Sequence, residues 1–473
     1  MIWSIAWKNV WRNKTRSLVV IVAIAIGLTG GVFAVGVMMG MIEARIHEAL
    51  HNEVSHIQIH HPKFLENDEI KYNIPNADEL ISEIRSMDAV DFASARSKMI
   101  AMAQTSNAST GITIYGINPE EEKKVTEIHK AVIDTAGNYF KHGKSNQIVI
   151  GRRLAEKLKL ANYQISERTL EALREHGMKD ILLDSISTLT HLYRSEKKFM
   201  KDITRKIGKA KAQKYEFVIK ENAVNYKVHS KIVLTLTGKE EYLTGGAFRV
   251  TGVYKTNNSK FEEQYVFVRM DDLTRITGYS RPQIHEIAIM LKDRENVLAI
   301  QEKLQKKYPD LTVRSWKDIQ PDIAMISDFM GYIHYVFIAF ILFALAFGIV
   351  NTMLMAVLER VKELGMLMAI GMNRKRVFTM IMLETIFLSL TGAVVGMIAG
   401  GTLTWATSKT GINLSRYTEG FEAIGYGAKV FPEITPDFFF GVTLLVILTG
   451  ILASVYPALK ALKLKPAEAL SIE

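Results

Sequence analysis

Two histidines that flank a glutamate are the residues of this chain whose types and spacing point most directly to chemistry. His47, Glu48 and His51 form an H-E-x-x-H sequence. On a helix, this spacing places both imidazoles on one face to bind zinc and leaves the carboxylate as general base on a zinc-bound water. The spacing shows no third ligand, so we predict a solvated polar helix and no metal site. A zinc metalloprotease and adventitious metal binding remain the alternatives.

A phosphate-binding loop is the second candidate. Gly137–Ser145 reads GNYFKHGKS, but five residues separate its glycines, whereas the phosphate-binding loop has four. The chain also has no cysteine, which excludes disulfides and thiolate-bound zinc or iron–sulfur clusters. We therefore predict no catalytic residue and no cofactor in this chain.

Four stretches are long and apolar enough to cross a bilayer as helices. Each holds at least 22 consecutive uncharged residues, and about 20 suffice. The first is longer than the apolar core of a signal peptide and no small-residue cleavage site follows it, so we predict a retained anchor. The predicted transmembrane helices are residues 17–43, 329–358, 377–408 and 438–459.

Most of the net charge lies in three short segments next to these stretches. The net charge is +10, from 59 Lys and Arg against 49 Asp and Glu. Residues 1–16, 359–376 and 460–473 hold 12 basic and 4 acidic residues, and short basic segments stay on the cytoplasmic side. We predict that both termini and the middle loop are cytoplasmic, and that residues 44–328 and 409–437 lie outside. The charge is thus explained without nucleic-acid binding.

The segment 1–16 also carries a stripe of tryptophans. They recur every four residues, so a helix places them on one face, with two cations beside them. Indoles and cations favour the headgroup region, so we predict an amphipathic helix at the cytoplasmic interface; packing against the other spans is an open alternative. The predicted interface residues are Trp3, Trp7, Trp11, Lys8 and Arg12.

Between the first two spans, β-rich runs mix with helical patterns, which is typical of an α+β domain. Within it, residues 161–230 are helix-prone and hold 14 basic against 9 acidic residues. Removing them would join a strand and helix directly to another strand, so we interpret them as an insertion. A solvated helical excursion and contact with anionic lipid or a partner both remain open. The predicted strands are 54–60, 110–115, 231–236, 248–254, 263–268 and 285–291. The predicted helices are 77–87, 151–160, 294–307 and a lead-in to the second span from Trp316.

Two further sequences resemble a known family. Residues 351–384 read NTMLMAVLERVKELGMLMAIGMNRKRVFTMIMLE, and residues 456–470 read YPALKALKLKPAEAL. Both resemble the permease subunits of the MacB/FtsX superfamily of ABC transporters, which includes the LolC/LolE lipoprotein-releasing type. GNYF, VIGRRLAEKL and VRSW in the outer domain are similar to that family too, as is the order of one span, a large outer domain and three spans.

The resemblance gives the middle loop a role, because in that family this loop forms the coupling helix that sits on the ATPase. Val361, Leu364, Leu367 and Met368 recur at helical spacing beside charged residues, and such an apolar face can dock a partner. A plain interfacial helix is the alternative. The predicted ATPase-coupling residues are Glu359, Arg360, Lys362, Glu363, Leu364, Gly365, Met366, Leu367, Ala369, Gly371 and Met372.

The third span carries small residues and one carboxylate. Gly392, Gly396 and Gly400 recur every four residues, a spacing that lets helices approach closely in lipid. We predict helix packing there, within the chain or between two copies. Glu384 lies near the cytoplasmic start of the span, where a structural hydrogen bond is favoured over a functional role.

The resemblance implies a membrane protein of the bacterial inner membrane, with four transmembrane α-helices and a large extracytoplasmic α+β domain. It implies a non-enzymatic permease, with ATP and Mg bound by a separate cytosolic ABC ATPase. The other expected partners are a second copy or sister permease, membrane lipid, and a lipoprotein or periplasmic adaptor. The expected function is lipoprotein release driven by mechanical transmission. MacB-like export of peptides or hydrophobic small molecules is the alternative, and FtsX-type signalling a third.

Overall fold

The computed structural model describes residues 2–141, 143–414 and 417–462, which divide into two units. The helical unit comprises Met1–Glu43, Met325–Asn413 and Lys429–Glu473, and the mixed unit comprises Ala44–Ala324 and Leu414–Ala428. Most of the predicted cytoplasmic tail lies outside the described residues.

The helices and strands follow one another along the whole described chain. The helices are α1 (Ile2–Arg12), α2 (Lys14–Glu48), α3 (Pro62–Asn67), α4 (Ala77–Arg85), α5 (Pro119–Glu122), α6 (Arg152–Lys157), α7 (Glu167–Glu175), α8 (Asp180–Ser187), α9 (Glu196–Ile207), α10 (Lys209–Ala223), α11 (Ser259–Gln264), α12 (Met270–Thr277), α13 (Val297–Lys307), α14 (Trp316–Ile319), α15 (Pro321–Glu359), α16 (Val361–Ala369), α17 (Arg374–Thr410), α18 (Thr418–Ala423) and α19 (Pro436–Leu462). The strands are β1 (Ile57–His60), β2 (Val90–Gln104), β3 (Ser109–Ile117), β4 (Val132–Gly137), β5 (Gln147–Gly151), β6 (Ala161–Tyr163), β7 (Val224–Tyr226), β8 (Lys231–Thr237), β9 (Leu243–Tyr254), β10 (Tyr265–Arg269), β11 (Glu286–Leu291), β12 (Thr312–Ser315), β13 (Ile412–Asn413) and β14 (Lys429–Val430).

Four helical segments of the described chain are long and apolar enough to cross a membrane. They are Lys14–Val54, Pro321–Glu359, Arg374–Thr410 and Pro436–Leu462, the first being α2 with the π-helical turn Ala49–Val54 that continues it. Together with the large mixed α/β unit, they confirm the predicted fold class.

The helical unit has one apolar core and an apolar outside. Leu28 on α2, Leu388 on α17 and Val446 on α19 are buried in that core. Large apolar side chains also face outward, and Phe340 on α15 is 70% exposed. Apolar residues on the outside of a helix bundle are typical of a surface that meets lipid.

The mixed unit is built on one large sheet. Its strand order is β12-β1-β11-β2-β3-β10-β5-β9-β4, and β8 pairs with both β2 and β9. The pairs β3–β10 and β5–β9 are parallel and the other pairs are antiparallel. The helices α6, α11 and α12 pack against strands of this sheet, and Leu154 of α6 and Leu273 of α12 are buried in its apolar core.

The predicted strands and helices mostly appear, with shifted ends. All six predicted strands are present, although Val54 belongs to the π-helical turn and β1 begins only at Ile57. The long strand β2 was not predicted. The helix expected to run from Trp316 into the second span instead ends at Ile319, because Pro321 lacks an N–H donor and restricts the residue before it.

Residues 161–230, the insertion segment, form four helices and a two-stranded sheet. Helices α7 to α10 enclose a separate apolar core that includes Leu173, Phe199 and Ile219. The short strands β6 and β7 pair antiparallel at the two ends of the segment, with Tyr163 opposite Val224. The start and the end of the segment are therefore neighbours.

Candidate functional site

The short helix α16 lies in a loop between two long helices, and backbone chemistry sets its ends. Arg360 breaks the helical conformation after α15, with φ −103° and ψ 16°. Gly371 follows α16 with a φ of +101°, a conformation that favours glycine. The Asn373 side chain then accepts a hydrogen bond of 3.0 Å from the Lys375 N–H and caps α17. The loop thus holds a defined helix.

Two arginines near the chain start pair with carboxylates around α16. Arg12 on α1 forms a two-point ion pair with Glu363, one contact being 2.8 Å. Arg16 on α2 pairs with Glu359. The hydrogen bond and charge of Arg12 lower the pKa of Glu363, so this carboxylate stays ionised at neutral pH.

A third arginine of the loop is more deeply placed. Arg360 donates to both carboxylate oxygens of Glu384, at 3.0 and 3.3 Å, and only 7% of Glu384 is exposed. Glu384 therefore takes part in a buried ion pair with the loop. We call the three pairs Arg12–Glu363, Arg16–Glu359 and Arg360–Glu384 the arginine collar; it links α16 and its flanks to α1, α2 and α17.

The predicted docking face of α16 is corrected by the structure. Val361 and Leu364 are buried, and Leu367 and Met368 pack against the core of the helical unit. A sequence cannot distinguish an apolar face that packs within its own chain from one that waits for a partner. The opposite face is the accessible one.

Met366 on α16 and Ile370, the residue that caps its C-terminal end, are large apolar residues on the accessible side. They are 48% and 85% exposed, and they lie one helical turn apart. Lys362 is exposed one turn before Met366. Among the other predicted coupling residues, Ala369 and Gly371 are exposed, Leu367 and Met372 are half-buried, and Leu364 and Gly365 are enclosed.

The tryptophan stripe lies on the outside of α1. Trp3, Trp7 and Trp11 are 67%, 45% and 41% exposed, while Ala6 and Val10 on the same helix are buried. The rings of Trp3 and Trp7 contact Phe387 of α17 edge-on, at 5.8 and 5.6 Å between centroids. Lys8 and Arg12 are exposed beside them. The stripe is therefore exposed on its outer side and has an edge in contact with α17.

The three glycines of the third span lie against α2. A Cβ atom at Gly396 would lie 2.8 Å from the Ala25 carbonyl oxygen and 2.9 Å from Leu28 Cβ. Gly392 and Gly400 are equally close to Ile24 and Val32 of α2. The close approach of helices is therefore within this chain.

The H-E-x-x-H residues are engaged in other contacts. Glu48 accepts hydrogen bonds from Asn52 and Asn257, both at 2.8 Å. His47 Nε2 lies 3.5 Å from Glu127. The rings of His47 and His51 lie side by side, with 4.1 Å between their centroids, and a π-helical turn begins after Glu48. In the described part of the chain, no group of three or more His, Cys, Asp or Glu is placed to hold a metal ion.

Parts of this chain are similar in sequence to known permeases. Residues 335–466 match the FtsX-like permease C-terminal family. The ABC transporter permease MJ1507 of Methanocaldococcus jannaschii is 25% identical over 230 residues, 47% of this chain and 54% of that protein. MacB of Chlorobium luteolum, a macrolide export ATP-binding/permease protein, is 32% identical over 126 residues, 27% of this chain and 16% of that one. LolC of Buchnera aphidicola, a lipoprotein-releasing system transmembrane protein, is 26% identical over 194 residues, which cover 39% of this chain and 47% of LolC.

The extracellular domain of the transporter YknZ from Gram-positive bacteria is a structural neighbour. It is 13% identical, covers 55% of this chain and 99% of its own, and has a TM-score of 0.29. The chain spans about half the length, or less, of the relatives it matches. Residues 335–466 thus form an FtsX-like permease domain, and the homologues of this chain are MacB, LolC and other ABC transporter permeases.

Proposed function

We propose that this chain is the permease subunit of an ABC transporter in a bacterial inner membrane, driven by ATP hydrolysis in a separate cytosolic ATPase. The observation that carries the proposal is the surface of α16 within the FtsX-like domain. Met366 and Ile370 are exposed on a short helix that ion pairs fix to its neighbours. An exposed apolar pair on a firmly held helix suits docking to a partner protein.

The arginine collar gives the mechanism. A displacement of α16 and its flanking residues would be transmitted to α1 and α2 through the ion pairs of Arg12 and Arg16. It would be transmitted to α17 through the buried Arg360–Glu384 pair. Work passes from the ATPase to the spans only if its ATP-bound and ATP-free states favour different arrangements of these helices. In this mechanism both termini are cytoplasmic, the mixed unit is periplasmic, and two permease copies or a sister permease act together.

Lipoprotein release from the inner membrane is the cargo that we propose first. Similarity to LolC supports it. Export of peptides or hydrophobic small molecules is the second candidate, because MacB, a macrolide export protein, shares 32% identity with part of the chain.

The docking surface is tested by placing a charge on it. Ile370→Asp would put a carboxylate into a contact that must lose water, so we expect at least about tenfold loss of ATPase co-purification with the full-length chain. The matched control is Ile424→Asp, since Ile424 is 63% exposed but lies in the mixed unit. Equal retention of the ATPase by both variants would refute docking at α16.

Coupling and cargo are tested in proteoliposomes that hold the permease and its ATPase. Glu363→Gln removes the charge that faces Arg12, so we expect ATP hydrolysis to continue while transport falls. ATP-dependent release of a triacylated lipoprotein would establish the first cargo, and ATP-dependent movement of a macrolide or peptide alone would establish the second. Unchanged transport by Glu363→Gln would contradict the role given to the collar.

A further inference from the structure

A cavity of about 820 Å³ lies within the mixed unit, where the insertion segment meets α6 and α18. Its wall is formed by Arg152, Arg153 and Glu156 of α6, by residues of α7, α9 and α10, and by Glu422 of α18. The volume is in the range of cavities that hold small organic ligands. It is separate from the α16 surface, and the proposed transport function does not use it.

The α6 side of the cavity has more carboxylates than cations. Arg152 lies 2.6 Å from Glu422 and 3.3 Å from Glu262, and Arg153 lies 3.4 Å from Glu422 and 3.3 Å from Glu156. Arg152 also lies 3.9 Å from Glu221, which pairs with Lys255 as well. Three cations thus share four carboxylates, of which the buried Glu262 does not line the cavity. Burial raises the pKa of Glu156, and the charges of Arg153 and Arg152 oppose that rise.

The α10 side repeats this imbalance. The Lys220 ammonium lies 2.8 Å from Glu196 and 2.9 Å from Glu216, so one cation serves two carboxylates. Both carboxylates line the cavity. An additional positive charge on a ligand would therefore be stabilised at this wall.

Two tyrosines stand beside these carboxylates. The Tyr163 hydroxyl lies 3.4 Å from Glu196. The Tyr226 hydroxyl is buried and has no hydrogen-bond partner in the described structure, although an unsatisfied buried polar group is costly. An aromatic face next to carboxylates attracts an organic ammonium ion, and the free hydroxyl offers a ligand one more hydrogen bond.

The same cavity also has cations available to an anion. Arg168 and Lys214 line it; Arg168 donates to the Thr135 hydroxyl at 3.1 Å, and Lys214 lies over the ring of Tyr215. Neither has a carboxylate within salt-bridge distance among the described residues. The Gln213 amide lies on the same wall and can hydrogen-bond a peptide group.

We propose that this cavity binds a short peptide with free termini. The peptide ammonium lies against the carboxylates of Glu156 and Glu196, and the peptide carboxylate meets Arg168 and Lys214. A peptide satisfies both charge imbalances with one molecule. The insertion segment thereby has a function, since it supplies one wall of the site.

Calorimetric titration of the full-length chain in detergent tests the site with tri-alanine as probe. We expect saturable binding, weakened at least about tenfold when the probe is N-acetylated, because a charge-assisted hydrogen bond is lost. Amidation of the other end should weaken binding to the native chain but make little difference to the Arg168→Gln variant. Absence of tri-alanine binding, or equal binding of the acetylated probe, would overturn the proposal, as would tighter binding of phosphoethanolamine.

Two variants separate binding from folding. Glu156→Gln should weaken tri-alanine binding about tenfold or more, while Glu175→Gln, at an exposed position of α7 outside the cavity, should leave it unchanged. Tyr226→Phe should weaken binding without lowering the melting temperature, because the hydroxyl has no partner to lose. Unchanged affinity in both Glu156→Gln and Tyr226→Phe would place the peptide elsewhere and refute this site.

Discussion

The contact between α17 and α2 predicts how sensitive the bundle is to one methyl group. In Gly396→Ala the new Cβ would lie 2.8 Å from the Ala25 carbonyl oxygen and 3.0 Å from its Cα. Carbon atoms in good contact are about 3.5–4.0 Å apart, so α2 and α17 must separate. Both close atoms belong to the backbone, which cannot rotate away as a side chain does.

The size of the effect follows from two opposing terms. Overpacking of this kind lowers the unfolding free energy by about 1–3 kcal/mol, whereas replacing glycine by alanine inside a helix raises it by about 1 kcal/mol. We therefore expect Gly396→Ala to lose up to about 2 kcal/mol of unfolding free energy. The control is Gly348→Ala on α15, where nothing lies within 4 Å of the new Cβ; it should gain up to about 1 kcal/mol.

Reversible unfolding of the purified chain in mixed detergent micelles measures the difference between the two variants. Gly396→Ala should be less stable than Gly348→Ala by about 1–3 kcal/mol. If both variants gained stability equally, the glycines would not determine the approach of α17 to α2. A loss in Gly348→Ala alone would instead indicate that the accessible face of α15 is the critical packing surface.

Two further predictions concern the mixed unit. Arg96 lies between Glu122 and Glu286, and all three side chains are at most 1% exposed. Arg96→Met should therefore lower the unfolding free energy by about 3–5 kcal/mol. Thermal unfolding measures this loss, and an unchanged melting temperature would contradict it. Burial lowers the pKa of His56 and of His285 to about 4, from an ordinary 6.5. Between pH 4 and pH 6.5 the unfolded chain therefore binds more protons than the folded chain. The unfolding free energy has its full value above pH 6.5 and falls as the pH drops towards 4, by up to about 2.7 kcal/mol per pH unit for the two groups. Chemical unfolding at pH 7.5, 6 and 5 tests this, and a flat profile would contradict it.

The four spans could be predicted because a membrane-spanning helix is recognised by the length and composition of its segment. Strand β2 could not be predicted in this way. Its sequence from Val90 to Gln104 alternates small and polar residues such as Ala93, Ser94 and Ala95. These residues have little strand preference of their own, and pairing with β3, β8 and β11 forms the strand.

The candidate site shows the same limit. Helical spacing in the middle loop predicted a helix with an apolar face, but which face is free depends on the fold around it. Arg12 and Glu363 are 351 positions apart, and no local pattern links them. The excess of basic residues near the chain start indicated only a side of the membrane, so the ion pairs of the collar appear only in three dimensions.

The two ends of the insertion segment are adjacent, so the segment could be removed without displacing the residues before and after it. Where Tyr163 and Val224 face each other across β6 and β7, the chain enters and leaves within about 5 Å, a gap that a two-residue hairpin turn can close. Because the segment has its own core, it could be gained, lost or exchanged in evolution while the strand register of the main sheet stays the same. In the scheme proposed above, exchange of the segment would alter one wall of the peptide site and leave the residues of α16 as they are.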